Sequence, residues 1–377
     1  METLVKEKVT LKTSELQELV SKASKICSYI EGFVTTSSLQ IIVADGKLTI
    51  TSTDNVNILK LQKSGIEGNL HVVVNTKLFS TLVSKLTTPI TELELVTTES
   101  QGTKLVIRAN GNYDIPTIVE EDGSKVTFGE FDFNRNVVTN LLSKDAISSI
   151  LTMNKSCKAE MKEVPSLYNY YMDSERVITT DLLKACNNPI KVFDRPVCLP
   201  PALVESLPLL ADDNGVVVYE NDNTVLFTSK NGELFGRKAV QEDLDNYPAS
   251  DLVDVFNSSL QYTCTLNKTL LMNALDRICL FTQGFDANLV NLNFLPNQLK
   301  LTTKDCDSTE SISYLQPSNL EGTFTIALDG ASLSKQLASC PKEDLKINFG
   351  NDSGIQIVCD NIVQTLGALD DEEVEGV

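Results

Sequence analysis

One pattern recurs three times along this chain, and it limits the possible folds more than any other feature of the sequence. An alternating apolar and polar stretch that ends in aspartate occurs at residues 46–54, 174–181 and 297–305. Such alternation predicts a half-buried β-strand. The final aspartates, Asp54, Asp181 and Asp305, lie 127 and then 124 residues apart. A period this long indicates a repeated whole domain rather than a short solenoid unit.

Each copy of the pattern also contains two predicted helices. The first helix of each copy has amphipathic spacing over residues 14–27, 134–151 and 267–281. The second follows an apolar strand and carries leucines at helical intervals, over residues 72–86, 197–210 and 324–337. In the earliest of these we expect Leu78, Leu82 and Leu86 to form one face. The predicted fold class is α+β, with three tandem similar domains that each pack two helices on a β-sheet.

The length of 377 residues suits two or three domains of ordinary size. Polar segments at residues 120–125 and 246–259 are the expected linkers. We therefore predict an amino-terminal domain at residues 1–122, a central domain at 123–255 and a carboxyl-terminal domain at 256–369. Residues 370–377 form an acidic tail, because five of the eight are aspartate or glutamate, and such runs are usually solvated.

The composition is that of a well-packed soluble protein, 42% hydrophobic and 22% charged. No apolar run of about 18 residues is present to span a membrane, and the amino terminus lacks the basic and apolar regions of a signal peptide. The nine cysteines do not have the spacing of zinc ligands. We expect free thiols, no metal, no cofactor and no membrane partner, in a cytoplasmic protein.

An enzymatic function finds little support in these residues. The single histidine, His71, lies in a predicted strand between Leu70 and Val72, which is more typical of a structural than a catalytic histidine. Phosphate-loop, nucleophile-elbow and His-Glu-x-x-His motifs are absent from the sequence. The three repeated aspartates occupy equivalent positions in separate domains, so we interpret them as turn residues at strand ends.

Simple geometry favours a ring of six such domains. A domain of about 125 residues has a diameter of roughly 35 Å. Three of them closed into a circle leave a hole of only about 5 Å, whereas six leave about 35 Å, wide enough for a DNA duplex. Two copies of this chain would supply the six domains through head-to-tail contacts.

Basic residues on the predicted helices could line that hole, although the formal net charge of the chain is −19. In the first helix we expect Leu16, Leu19, Ala23 and Ile26 to face the core and Lys22 and Lys25 to face outward. Solvated cations of this kind would guide a phosphate backbone without base recognition. The predicted lining residues are Lys22, Lys25, Lys77, Lys85, Lys144, Lys268, Arg277, Lys335 and Lys342. The simpler alternative is that these residues form an ordinary solvated helix surface with no ligand.

The order and spacing of these segments resemble the bacterial replicative sliding clamp, the beta subunit of DNA polymerase III. The resemblance covers essentially the whole chain and rests on residues 46–54, 177–181, 242–247 and 271–278. It implies the DNA clamp fold, half of a six-domain ring per chain, and a non-enzymatic processivity factor. The implied partners are double-stranded DNA bound without sequence specificity, a second copy of the chain, the replicative polymerase, a clamp loader and other proteins with clamp-binding motifs.

The same resemblance implies a pocket for partner peptides between the second and third domains. Carried onto this chain, it comprises Leu167, Thr180, Leu182, Leu183, Lys184, Ala185, Leu244, Tyr247, Leu366, Ala368 and Leu369. The chain departs from the family at Leu182-Leu-Lys-Ala185, where Gly-His-Arg-Leu is usual, and at its carboxyl end. The acidic tail either favours basic peptides or partly covers this groove.

We further predict a dimer interface that joins an apolar edge of the first domain to the third domain. The first patch is Leu105, Val106 and Ile107, and the second is Cys279 and Leu280. The alternative to a clamp is a protein-only interaction scaffold that does not encircle DNA. The two differ in one property, since only a clamp stays on circular DNA and slides off when that DNA is cut.

Overall fold

The computed structural model describes residues 7–98, 102–126, 128–131, 133–135, 138–160, 164–282, 288–303 and 308–369. The chain packs as two units, Met1–Lys144 with Ala202–Lys238, and Asp145–Pro201 with Ala239–Val377. Strands of the second repeat occur in both units, so the three-domain boundaries stay a prediction. The acidic tail lies outside the described residues. No described helix is long and apolar enough to cross a bilayer.

The first repeat has two helices, and one of them is rotated relative to expectation. Helix α1 buries Leu16, Leu19 and Ala23, as its spacing predicts. The second helix buries Phe79 and Val83, whereas Leu78 is 50% exposed. Asn75 fixes its start by accepting a hydrogen bond from the Leu78 amide, and the larger phenylalanine takes the core position. The elements are β1 (Lys8–Lys12), α1 (Thr13–Ala23), β2 (Ser38–Ala44), β3 (Lys47–Thr53), β4 (Ile58–Ser64), β5 (Leu70–Asn75), α2 (Thr76–Ser84), β6 (Ile90–Thr98), β7 (Gly102–Arg108) and β8 (Asn112–Pro116).

The second repeat corrects two expectations. The helix predicted over residues 134–151 begins only at Lys144, because residues 138–142 pair as an edge strand with residues 216–219. The segment 246–259, expected to be a linker, contains a nine-residue helix. The elements are β9 (Val138–Leu142), α3 (Lys144–Ser149), α4 (Lys155–Cys157), α5 (Pro165–Tyr168), β10 (Tyr170–Met172), β11 (Val177–Thr180), β12 (Lys184–Asn188), β13 (Val197–Leu199), α6 (Pro201–Val204), α7 (Leu207–Leu210), β14 (Val216–Glu220), β15 (Thr224–Ser229), β16 (Gly232–Arg237), α8 (Gln241–Asp245) and α9 (Ala249–Asn257).

The third repeat follows the plan of the first. Asn267 caps its first helix by accepting a hydrogen bond from the Leu270 amide, as Asn75 does in the first repeat. The helix predicted at 267–281 is confirmed. The elements are β17 (Tyr262–Asn267), α10 (Lys268–Ile278), β18 (Leu289–Phe294), β19 (Gln298–Thr302), β20 (Thr309–Ser313), β21 (Phe324–Asp329), α11 (Gly330–Ser339), β22 (Asp344–Asn351), β23 (Gly354–Cys359) and β24 (Ile362–Gly367).

The sheet topology repeats as the sequence does. One eight-stranded sheet has the order β5-β2-β3-β4-β16-β15-β14-β9, and the other has the order β13-β10-β11-β12-β24-β23-β22-β17. In each sheet, four strands from one repeat continue into four strands from the next, through β4 paired with β16 or β12 paired with β24. Two four-stranded sheets remain, with the orders β1-β6-β7-β8 and β20-β19-β18-β21. The predicted α+β class and its repetition are confirmed.

Candidate functional site

A tight turn joins β11 to β12 and carries several of the predicted pocket residues. The Asp181 carboxylate accepts hydrogen bonds from the amides of Leu183 (3.1 Å) and Lys184 (2.8 Å). The Thr180 hydroxyl accepts one from the Leu182 amide and donates one to the Lys184 carbonyl, both at 2.9 Å. These bonds hold Leu182 at a φ of 76°, a left-handed conformation that leucine rarely adopts. Its side chain is left 67% exposed.

The same turn occurs between β3 and β4. The Asp54 carboxylate accepts from the amides of Val56 (2.9 Å) and Asn57 (2.6 Å), and Asn55 has a φ of 78°. Asp54 and Asp181 are therefore turn residues, as the sequence predicts. Asp305 lies outside the described residues.

A groove of about 210 Å³ opens beside the β11–β12 turn in the second unit. Five of the predicted pocket residues line it: Leu182, Leu183, Lys184, Ala185 and Leu366. The Lys184 side chain is only 8% exposed and forms an ion pair with Asp181. Its charge is thus neutralised at the groove wall.

The other six predicted pocket residues lie outside this lining. Leu244 and Tyr247 belong to a neighbouring hydrophobic cluster, in which the Tyr247 ring stacks on Tyr171 at 5.2 Å. Burial raises the pKa of Tyr247, so its hydroxyl stays protonated and donates to the Ile178 carbonyl at 3.1 Å. Of the remaining four, Leu167 and Thr180 are buried. The Ala368 amide donates to the Ser353 carbonyl, and the Leu369 amide donates to the Ala327 carbonyl.

Helix α9 supplies groove residues that the sequence interpretation missed. Leu252 and Val255 line the groove opposite Ile355 of β23. The Gln356 side chain donates to the carbonyls of Val255 (3.1 Å) and Ser258 (3.2 Å), which ties the end of α9 to the sheet. The spacing of Leu252 and Phe256 at i, i+4 is the helical signal that could have revealed this element.

The equivalent position in the first unit is filled by aromatic side chains. Ile58 pairs with Phe235 where β4 meets β16, and Ala185 pairs with Thr365 where β12 meets β24. The ring of Phe131 stacks on Phe235 with centroids 4.5 Å apart. Thr365 instead lines the open groove. A small residue in place of phenylalanine is a physical reason for the opening in the second unit.

The predicted lining cations fall into two groups. Among the residues that the structure describes, no acidic side chain pairs with Lys25, Lys77 or Lys85, all of which are exposed. The others have partners within the chain. The pairs are Lys22–Glu18, Lys144–Asp213, Arg277–Glu310, Lys335–Glu160 and Lys342–Asp360, and Lys268 donates to the Cys340 carbonyl at 2.9 Å.

The three unpaired lysines lie in or just beyond helices α1 and α2 of the first unit: Lys77 is in α2, Lys85 directly follows α2, and Lys25 is two residues past the end of α1. The Gln17 amide donates to the carbonyls of Val83 (3.0 Å) and Leu86 (2.9 Å), which joins the two helices. Hydrogen bonding to Glu310 raises the pKa of Arg277 further, so that residue is a paired cation. Exposed ion pairs contribute little energy, and the paired residues could exchange their partners for phosphate.

The predicted dimer patches differ in accessibility. Leu280 is 61% exposed, whereas Leu105, Val106 and Ile107 are buried. The buried three belong to β7, an inner strand that β8 covers. The edge strand next to β7 is therefore β8, which corrects the prediction that residues 105–107 form the edge of the first domain.

The described cysteines are free thiols, as predicted, and Cys306 lies outside the described residues. No cluster of histidine, cysteine or acidic residues suited to a metal ion occurs in the described ranges.

The chain resembles several solved structures over nearly its whole length. It superposes on the DNA polymerase sliding clamp from Bacillus subtilis with a TM-score of 0.80 and 18% identity, covering 96% of this chain and 99% of that one. The chain has the fold of the bacterial sliding clamps. The chain also superposes on the beta subunit from DNA polymerase of Streptococcus pyogenes, with a TM-score of 0.82 and 14% identity. That match covers 96% of this chain and 99% of the other. The chain also superposes on the DNA polymerase III beta subunit from Thermotoga maritima, with a TM-score of 0.79 and 18% identity. That match covers 96% of this chain and 99% of the other. No family model matches the sequence, and no curated protein matches it.

Proposed function

We propose that this protein is a divergent, non-enzymatic sliding clamp that encircles duplex DNA and tethers a replicative polymerase. The observation that carries the proposal is the clamp fold over 96% of the chain. The low identity of 18% fits a divergent lineage. Such a function requires no catalytic residue, cofactor or metal, and it places the protein where DNA is replicated, in the cytoplasm with the nucleoid.

The sheet topology supports closure into a ring. Strand β4 meets β16 and β12 meets β24 at the two junctions within the chain. β20 and β8 are edge strands among the described residues, and by the same repeat they are the strands that would meet at a third junction. Because they belong to the two ends of the repeat series, β20 of one protomer would pair with β8 of another. Unpaired edges are otherwise a liability that proteins cover.

Head-to-tail pairing of this kind closes into a ring if the rotation allows it. Two chains give six repeats, the number whose central hole of about 35 Å admits a duplex. Exposed Leu280 and its neighbour Cys279 follow α10, which packs against β20, so they would lie beside this junction. The unpaired Lys25, Lys77 and Lys85 would then make solvated, non-specific phosphate contacts.

The groove beside Leu182 is the proposed attachment site for partners. Its apolar walls would receive a short peptide from the polymerase, the clamp loader or another DNA-processing protein. Burial of two or three side chains at roughly 1.5–3 kcal/mol each contributes about 3–9 kcal/mol before ordering costs, well short of the roughly 12 kcal/mol of a nanomolar complex, so we expect micromolar or weaker affinities. Such affinities allow partners to exchange.

Primer extension by the replicative polymerase of the same organism tests the proposal. Addition of the protein and the loader should lengthen the products made in one binding event on a primed circle. The Leu183→Asp variant should remain dimeric and fail to lengthen them, because the charge enters the groove wall. Equal product lengths with and without the unaltered protein would refute the proposed function.

A further inference from the structure

We propose that the groove selects peptides whose apolar anchor residues are flanked by lysine or arginine, through an acidic rim formed by Asp251, Asp254 and Asp352. The inference rests on the proposed function of the groove as a peptide site. It goes beyond that function by naming the charge of the partner. Three features of the second unit carry it.

The first feature is the placement of the rim aspartates. Asp251 and Asp254 lie on α9 next to the groove residues Leu252 and Val255, and Asp352 lies between two further lining residues. All three are exposed. Within the described ranges none of them is joined to a cation, so their charges are available to a ligand.

The second feature is the lack of an opposing charge in the groove. Lys184 is the one cationic residue of the described lining, and it is nearly buried and paired with Asp181. The end of α9 also faces the groove at Val255 and Ser258, and a helix carboxyl terminus carries partial negative charge. The local field therefore favours a cationic ligand.

The third feature is the continuation of the chain. Gly367 lines the groove, and the sequence after Leu369 contains Asp370, Asp371, Glu372, Glu373 and Glu375. This sequence has the same sign of charge as the rim, so its carboxylates favour a cationic ligand over an acidic one.

Three labelled peptides of one apolar core, flanked by lysine, glutamine or glutamate, provide the test by fluorescence anisotropy with the full chain. An exposed ion pair changes affinity by up to about five-fold, so three rim charges should favour the lysine peptide over the glutamate peptide by about ten-fold or more at low salt. The preference should shrink as salt screens these charges.

Matched variants separate local from overall charge. Asp251→Asn, Asp254→Asn and Asp352→Asn together should largely abolish the preference. Asp45→Asn, Glu67→Gln and Glu121→Gln, three exposed acids of the first unit, make the same change in net charge and should preserve it. Equal or tighter binding of the glutamate peptide would overturn the inference while leaving the peptide site intact.

Truncation after Leu369 tests whether the acidic segment that follows this residue, rather than a partner peptide, occupies the groove. We expect it to weaken binding of the lysine peptide and to strengthen that of the glutamate peptide. An equal gain for all three peptides would mean that the acidic segment occupies the groove, which would overturn the inference. If no peptide binds to the unaltered protein, the proposed peptide site itself fails.

Discussion

Replacement of Leu182 by asparagine should weaken partner binding without disturbing the turn. Asparagine tolerates left-handed backbone better than leucine does, and Asn55 occupies the equivalent position at a φ of 78° in the first unit. The Leu182 side chain is 67% exposed. Full burial of a leucine is worth about 1.5–3 kcal/mol, so a peptide that covers this exposed part gains roughly 1–2 kcal/mol. The variant should therefore bind about five- to thirty-fold more weakly.

Anisotropy titration with the lysine-flanked peptide measures this loss, and thermal unfolding shows whether the fold is retained. Leu141→Asn is the matched control, because Leu141 is 57% exposed in the first unit and does not line the groove. The control should bind as the unaltered protein does. A Leu182→Asn protein that folds and binds within two-fold of the parent, a change of only about 0.4 kcal/mol, would refute the assignment of Leu182 to the binding surface.

Three other perturbations test the DNA contacts, the dimer and the sheet junction. Exchange of Lys25, Lys77 and Lys85 for glutamate should shorten the retention of the protein on DNA in an electrophoretic assay, with the largest effect at low salt. Lys268→Gln should have little effect, because the Lys268 ammonium group already donates to the Cys340 carbonyl. Leu280→Asp should give a species of 41.4 kDa in light scattering, and an unchanged dimer would exclude this patch from the interface. Gly232→Ala should lower the free energy of unfolding by more than about 2 kcal/mol, because the added Cβ would lie 1.9 Å from the Lys60 carbonyl oxygen and the backbone φ is 146°. Chemical denaturation measures this loss. Gly129→Ala is the control, because Gly129 has open space around it.

The sequence predicted the repeated strand and its turn because these depend on local chemistry. The Thr-Asp pairs at the ends of β3 and β11 make the same side-chain hydrogen bonds to the backbone in both units. Such bonds involve residues within four positions of one another, so a short sequence window contains all that is needed to form them.

Other elements could not be predicted because their outcome depends on distant strands. Residues 138–142 have a helical pattern but pair with β14, which is more than 70 residues away in the sequence. The rotation of α2 that buries Phe79 rather than Leu78 depends on its packing partners. Likewise, the ion pairs of Lys335 with Glu160 and of Arg277 with Glu310 join residues that are 175 and 33 positions apart in the sequence. Helical position alone therefore did not distinguish the free lysines from the paired ones.

Release from DNA after a single cut tests the central claim most directly. The protein, loaded on a nicked circular plasmid and isolated by gel filtration, should stay with the circle in moderate salt. Linearisation with a restriction enzyme should then release it, and bulky blocks on both ends should prevent release. Retention on open linear DNA, or equal loss from circular and linear DNA, would show that the protein does not encircle the duplex.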